Sequence, residues 1–154
     1  MGRREPNQIA VELNCEVTRV YRSISKYKRV KVPVVTARLD IYIDGDQLHD
    51  DNVFEADVFY ESLVCDGTFP IFNCTCGIFG CGGYEVNVRH EEERVLWDTE
   101  GLIFEFERDA MLKFSKELLV RLETLERVLA ENGLPPRYDH PTFASKIKRF
   151  EERR

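Results

Sequence analysis

Residues 8–18 alternate between apolar and polar side chains. Ile9, Val11, Leu13, Cys15 and Val17 fall on one side, and Gln8, Glu12, Asn14, Glu16 and Thr18 on the other. A period of two over this length predicts a half-buried β-strand. The polar residues 23–28 predict a turn. A second strand is predicted over residues 29–43, but its phase changes. Val30, Val32 and Val34 occupy even positions, whereas Val35, Ala37, Leu39, Ile41 and Ile43 occupy odd ones. A slip of one residue exchanges the faces of a strand. A bulge or bend is therefore predicted near Pro33, which also lacks a ladder donor.

Asp44-Gly45-Asp46 ends that strand. Over residues 53–64, Phe54, Val58, Phe59 and Leu63 fit a helical stripe, with Asp51 or Asn52 as its cap. Residues 69–72 are a short apolar run. Tyr84, Val86, Val88 and His90 then alternate with Glu85, Asn87 and Arg89. Glu91-Glu92-Glu93 predicts a charged turn, residues 94–97 a return strand, and Gly101 a further turn before residues 102–107. The clearest element follows. Met111, Phe114, Leu118, Leu122, Leu125 and Leu129 make one face of an amphipathic helix, capped by Asp109 and ended by Asn132-Gly133 and Pro135-Pro136. A last helix is predicted with Asp139 or His140 as cap and Pro141 in its first turn. It carries a Phe143, Ile147, Phe150 stripe and a basic face of Lys146, Lys148, Arg149, Arg153 and Arg154.

Strands come in hairpin-like runs and the clear helices come late. That order predicts an α+β fold, with a mostly antiparallel sheet of about five to six strands. A long amphipathic helix packs on one face, with a shorter helix in the middle of the chain and a basic helix at its end. Residues 1–134 are expected to form a single domain. Residues 135–154 are expected to form a proline-linked helix packed on it or extending from it, and its short stripe predicts that it is separable. No glycine-rich phosphate loop follows the first strand, which argues against a doubly wound nucleotide-binding fold.

Composition narrows the function classes. Of 154 residues, 43% are hydrophobic and 32% charged, a globular balance. No apolar run approaches the ~20 residues of a membrane span, so no membrane partner is expected. The N-terminal charges have no apolar segment behind them, which predicts a cytoplasmic location. In that setting five cysteines are buried thiols, metal ligands or reactive groups rather than a disulfide framework. The formal net charge of −6 argues against nucleic acid as a partner, although the basic terminal helix leaves it open.

The distinctive chemistry lies in residues 73–84. Three cysteines, Cys74, Cys76 and Cys81, and four glycines fall within ten residues, and His90 follows after a strand. Three thiolates and an imidazole form a stable tetrahedral zinc environment, so these four residues are the candidate metal ligands. The Cys74-x-Cys76 spacer is one residue, shorter than the usual two. The alternative is a compact turn of glycines and small thiols beneath Phe79 and Tyr84, with no metal. A thiol enzyme would pair one of these cysteines with His90, oriented by Asp98 or Glu91. Cys15 and Cys65 read as ordinary apolar positions, His49 as a solvated loop residue, and His140 as the start of a helix. The acids of residues 44–51 lack the spacing of a calcium loop.

The pattern Phe72-x-Cys74-x-Cys76-Gly77-x-x-x-Cys81-x-Gly83, then Val86-x-Val88-x-His90, then Val95-x-Trp97, resembles a group of small bacterial proteins of unassigned role. These share a C-x-C-G-x3-C-x-G loop, a strand ending in His and a V-x-W strand. The match covers about residues 69–129, taking in Phe104-x-Phe106 and the helix after it. It implies a domain type and no activity. Together these readings lead to a non-enzymatic protein-interaction module of bacterial or phage origin, an immunity or anti-defence factor being one form, with a protein as its partner. The alternatives are a zinc-stabilised structural domain and, behind it, a thiol-dependent enzyme with no catalytic residue assigned.

Overall fold

A computed structural model describes residues 5–74 and 83–153 of the chain. Two long strands open it, β1 (Ile9–Ser25) and β2 (Lys28–Ile43), followed by the short β3 (Asp46–Gln47) and β4 (Asn52–Phe54). A two-turn helix, α1 (Ala56–Ser62), leads into β5 (Gly67–Cys74), β6 (Gly83–His90), β7 (Arg94–Thr99) and β8 (Leu102–Glu107). The helices α2 (Arg108–Glu131) and α3 (His140–Glu152) complete the chain. The fold is α+β, with antiparallel sheets in the orders β1-β2-β3 and β4-β5-β6-β7-β8.

The middle of the chain departs from its pattern. Residues 52–54 pair with β5 as a strand, Asn52 opposite Cys74 and Phe54 opposite Phe72, and the helix begins only at Ala56 with Glu55 as its cap. The apolar residues of a short strand and of the helix after it merge into one stripe, which periodicity alone does not divide. Residues 69–72 belong to the full strand β5. α2 begins one residue before Asp109, with Glu107 at its cap position, so Asp109 sits in the first turn. There its charge complements the helix dipole. At α3 the expected cap is present: Asp139 accepts from the Thr142 backbone N–H at 3.2 Å, and Pro141 stands in the first turn.

β7 and β8 meet through Glu100 and Gly101, both in the left-handed region (φ 50 and 78). Two such residues give a turn whose twist matches the flanking strands. The N-terminal lead-in ties the two sheets together. The Asn7 backbone donates to the Glu105 carbonyl at 2.7 Å, and the Glu105 N–H donates back to Asn7 Oδ1 at 2.8 Å.

One core fills the space between the sheets and the helices. Its centre is aromatic. Phe59 lies edge-on to Phe114, Trp97 and Tyr60, with ring centroids 5.2, 6.2 and 5.3 Å apart. Such edge-to-face pairs add to the stabilisation from burial. The buried Tyr60 hydroxyl donates to the Ser115 carbonyl at 2.8 Å, and burial pushes its pKa well up. The α2 stripe has the predicted facing. Met111, Phe114, Leu118 and Leu122 pack in one cluster with Val11, Val86 and Val88. Leu125 and Leu129 continue onto Val35, with Leu13 and Ala37 alongside. From α3, Phe143, Ile147 and Phe150 enter the same main cluster.

Candidate interaction surface

The hairpin of β1 and β2 differs from the sequence expectation. No bulge occurs at Pro33. The ladder runs without interruption from Ile9↔Ile43 through Arg19↔Pro33 to Ser23↔Arg29, and shifts only between Ser23 and Ser25 near the tip. Pro33 is accommodated because β2 has a neighbour on one side only at that point: β3 pairs with no residue of β2 before Tyr42. The phase change is thus a real exchange of faces. At the base of the hairpin the inner face is apolar, with Val11, Leu13, Leu39 and Ile41 turned to α2 and the core. The outer face there is polar. The Asp40 carboxylate, almost fully buried, accepts from Asn14 at 2.5 Å, Arg38 at 2.5 Å and Gln47 at 2.9 Å.

Beyond the rung Val17↔Val35 both strands invert together. The outer face becomes Val20↔Val32, Thr18↔Val34 and Arg22↔Val30, while the inner face becomes Tyr21↔Lys31 and Ser23↔Arg29 beyond Arg19↔Pro33. Val35 is the last β2 residue held against α2, through Leu125 and Leu129, and its carbonyl accepts from Arg137 in the segment after that helix. Residues 17–34 therefore form a two-stranded arm beyond the support of the helix. At about 3.4 Å per residue it is roughly 25 Å long. Tyr21 is 67% exposed, Tyr27 at the tip 89% and Ile24 56%.

The arm is also electrostatically distinct. It holds Arg19, Arg22, Lys26, Lys28, Arg29 and Lys31 and no Asp or Glu. The rest of the chain then carries −12, the −6 of the whole less the arm's +6. Two of the ammonium groups lie over tyrosine rings, Lys31 over Tyr21 and Lys26 over Tyr27, each 5.3 Å from the centroid. The basic face of α3 is unlike this, because acids interrupt it: Glu151 pairs with Lys116 of α2 at 3.0 Å.

Of the candidate zinc ligands, Cys76 and Cys81 lie outside the described residues. Cys74 and His90 are placed, at opposite ends of the β5–β6 ladder. Asn73 pairs with Gly83 at one end, and His90 closes β6 at the other. His90 Nε2 donates to the Ser62 carbonyl at 2.7 Å, and the ring meets Phe150 edge-on. Nδ1 is buried without a partner among the described residues. Burial, then the cations Arg153 and Arg108, lower the His90 pKa, opposed by the Ser62 hydrogen bond and by Asp66. Of the groups proposed to orient this imidazole, Asp98 and Glu91 are exposed and the His90 ring nitrogen engages neither. No group of three or more His, Cys, Asp or Glu side chains that would hold a metal occurs among the described residues.

Three further residues differ from their sequence reading. Cys15 and Cys65 are exposed free thiols rather than apolar core positions. Cys15 shares the inner face of β1, opposite Ala37. His49 is half-buried, not solvated. Its left-handed backbone (φ 49) turns the ring onto Tyr84, 3.8 Å away and stacked, with Nε2 3.0 Å from Thr99 Oγ1. Burial holds its pKa below the ordinary value, against the pull of Asp51 and Glu100. A histidine with a depressed folded pKa stabilises fully above its unfolded value of about 6.5 and less as pH falls through the folded one. The melting temperature is therefore expected to fall between pH 7.5 and pH 5.5, and by less in His49→Gln. A His49→Gln chain that loses as much as the parent would remove His49 from the account.

Two depressions lie among the described residues. A depression of about 300 Å³ is lined by Val64, Arg149, Glu152 and Arg153, and one of about 150 Å³ by Asn87, Arg89, Leu96, Trp97, Asp98 and Ile103. Neither joins a nucleophile to a base. Among the described residues no helix is long and apolar enough to cross a membrane. No protein-family model matches the chain, and no curated protein or solved structure matches it either.

Proposed function

We propose that the protein is a non-enzymatic interaction module that docks on a macromolecular partner through the arm of residues 17–34. The observation that carries this is the matched inversion. An unbroken ladder changes its apolar face at the same rung in both strands, at the point where α2 stops covering it. A two-stranded ribbon in water is marginal by itself. Leaving valines on one side of it and tyrosines and cations on the other adds nothing to the core. Such a ribbon gains its stability when a partner covers it.

The test is affinity capture from the source cells with two baits. One is the parent chain. The other has residues 18–34 replaced by a short Asn-Gly turn, which suits a hairpin and removes no residue of the main core cluster. The parent is expected to retain a macromolecule in stoichiometric amount, and the shortened chain to lose it while melting cooperatively. Equal retention by both baits, or robust small-molecule turnover abolished by Cys76→Ser, would overturn the reading.

A further inference from the structure

We propose that the partner of the arm is double-stranded DNA, with the ribbon lying in the major groove and its basic face on the phosphates. This rests on the reading of the arm as the docking element and names its ligand. Charge is the first argument. The six cations of residues 17–34 with no carboxylate among them, on a chain otherwise at −12, segregate charge in the way a polyanion requires. The acidic body does not defeat this. At physiological salt, exposed charges more than about 8 Å apart are largely screened, and the arm reaches about three times that distance from its base, at 3.4 Å per residue. Phosphates at the tip meet Lys26, Lys28 and Arg29 long before they meet the body.

Shape and chemistry select the duplex. The major groove of B-DNA, about 12 Å wide, admits a two-stranded β-ribbon, whereas the major groove of A-form RNA is too narrow for side chains to read. A single strand needs a groove with successive stacking platforms. The arm is a two-stranded ribbon whose two tyrosines lie apart, Tyr21 along the inner face and Tyr27 at the tip. Three of its cations share the face placed on the phosphates. Arg19, Arg29 and Lys31 lie on one face, Arg22 on the other, and Lys26 and Lys28 at the end. Arginines in this position satisfy phosphate oxygens or the O6/N7 edge of guanine with paired donors.

The experiment is fluorescence anisotropy with labelled 30-base-pair DNA, the same sequence as duplex RNA, and its single DNA strand, from 50 to 200 mM NaCl. The parent chain is expected to bind duplex DNA most tightly. About five phosphate contacts at ~0.9 counterions each give a log–log salt slope near −4.5, a loss of roughly 500-fold over that range. Arg19→Gln, Arg22→Gln, Lys28→Gln, Arg29→Gln and Lys31→Gln together should abolish both the binding and the slope. Replacing the three arginines by lysine should keep the slope, which separates lost charge from lost fold. Lys148→Gln with Arg149→Gln on α3 should change neither.

No duplex binding by the parent at 50 mM NaCl would overturn the proposal. So would equal binding by the glutamine variant, or tighter binding of duplex RNA or the single strand. The docking reading is scored separately by capture. If the arm-shortened bait still loses its macromolecule while the parent ignores DNA, the arm docks on a protein and the DNA assignment alone falls. If neither experiment depends on the arm, both fall.

Discussion

A chain ending at Pro136 is expected not to hold its native fold. α3 supplies three side chains to the main core, Phe143, Ile147 and Phe150, exposed by 3%, 6% and 2%. Burying each is worth about 1.5–3 kcal/mol, so the three together approach the 5–15 kcal/mol by which a typical domain is stable. Their partners are left in difficulty too. Phe143 stacks on the buried ring of Tyr60 at 4.4 Å. The Arg108 guanidinium, itself buried, lies over the Phe150 ring at 4.3 Å and donates to the Phe150 carbonyl at 3.1 Å. Removing α3 opens Tyr60 to water and takes two supports from a buried cation. Near-ultraviolet circular dichroism of the truncated chain should lose the signal of Trp97, and its melt should lose cooperativity. A cooperative melt within about 5 °C of the parent would show that α3 is an appendage.

A short stripe and a proline-rich linker are the sequence grounds for a separable α3, and both features are present. What the sequence does not state is the partner of the stripe. Three apolar residues at helical spacing mark a buried face without saying whether they complete a core or decorate it. The long α2 was legible because its stripe is longer than any competing explanation. The strand β6 was legible from its alternation, and β7 and β8 from the turns that bound them, Glu91-Glu92-Glu93 and Gly101. β4 and α1 were not separated, because Phe54 and Phe59 belong to one core through two elements. The arm was legible in part. The change of phase in β2 was visible, but a bulge accounts for it as well as an exchange of faces does. The deciding signal was in β1, where Val20 and Ile24 leave the odd positions that Val11 to Val17 keep. Two strands inverting together point to a continuous ladder. Net charge hides the arm for a related reason: −6 averages a basic ribbon with an acidic body.

Leu122→Ala is expected to destabilise the protein by about 2–5 kcal/mol, whereas Val20→Thr changes stability by less than about 0.5 kcal/mol. Both residues are apolar, both belong to regular elements, and the two are separated by what surrounds them. Leu122 has no exposed surface and sits in the cluster that joins α2 to both sheets. Truncation there loses the transfer energy of the removed carbons and leaves a cavity in a closely packed core. Val20 is 43% exposed on the outer face of the arm, with only Val32 opposite it. Threonine keeps its branched shape and its place in the ladder. At roughly 2–4 °C per kcal/mol for a domain of this size, Leu122→Ala should lower the melting temperature by about 4–20 °C and Val20→Thr by no more than about 2 °C. Any effect of Val20→Thr should appear instead in the retention of a captured partner. A large loss of stability from Val20→Thr would mean that the outer face of the arm is covered within the chain itself. An arm so covered is part of the core, and the docking reading would go with it.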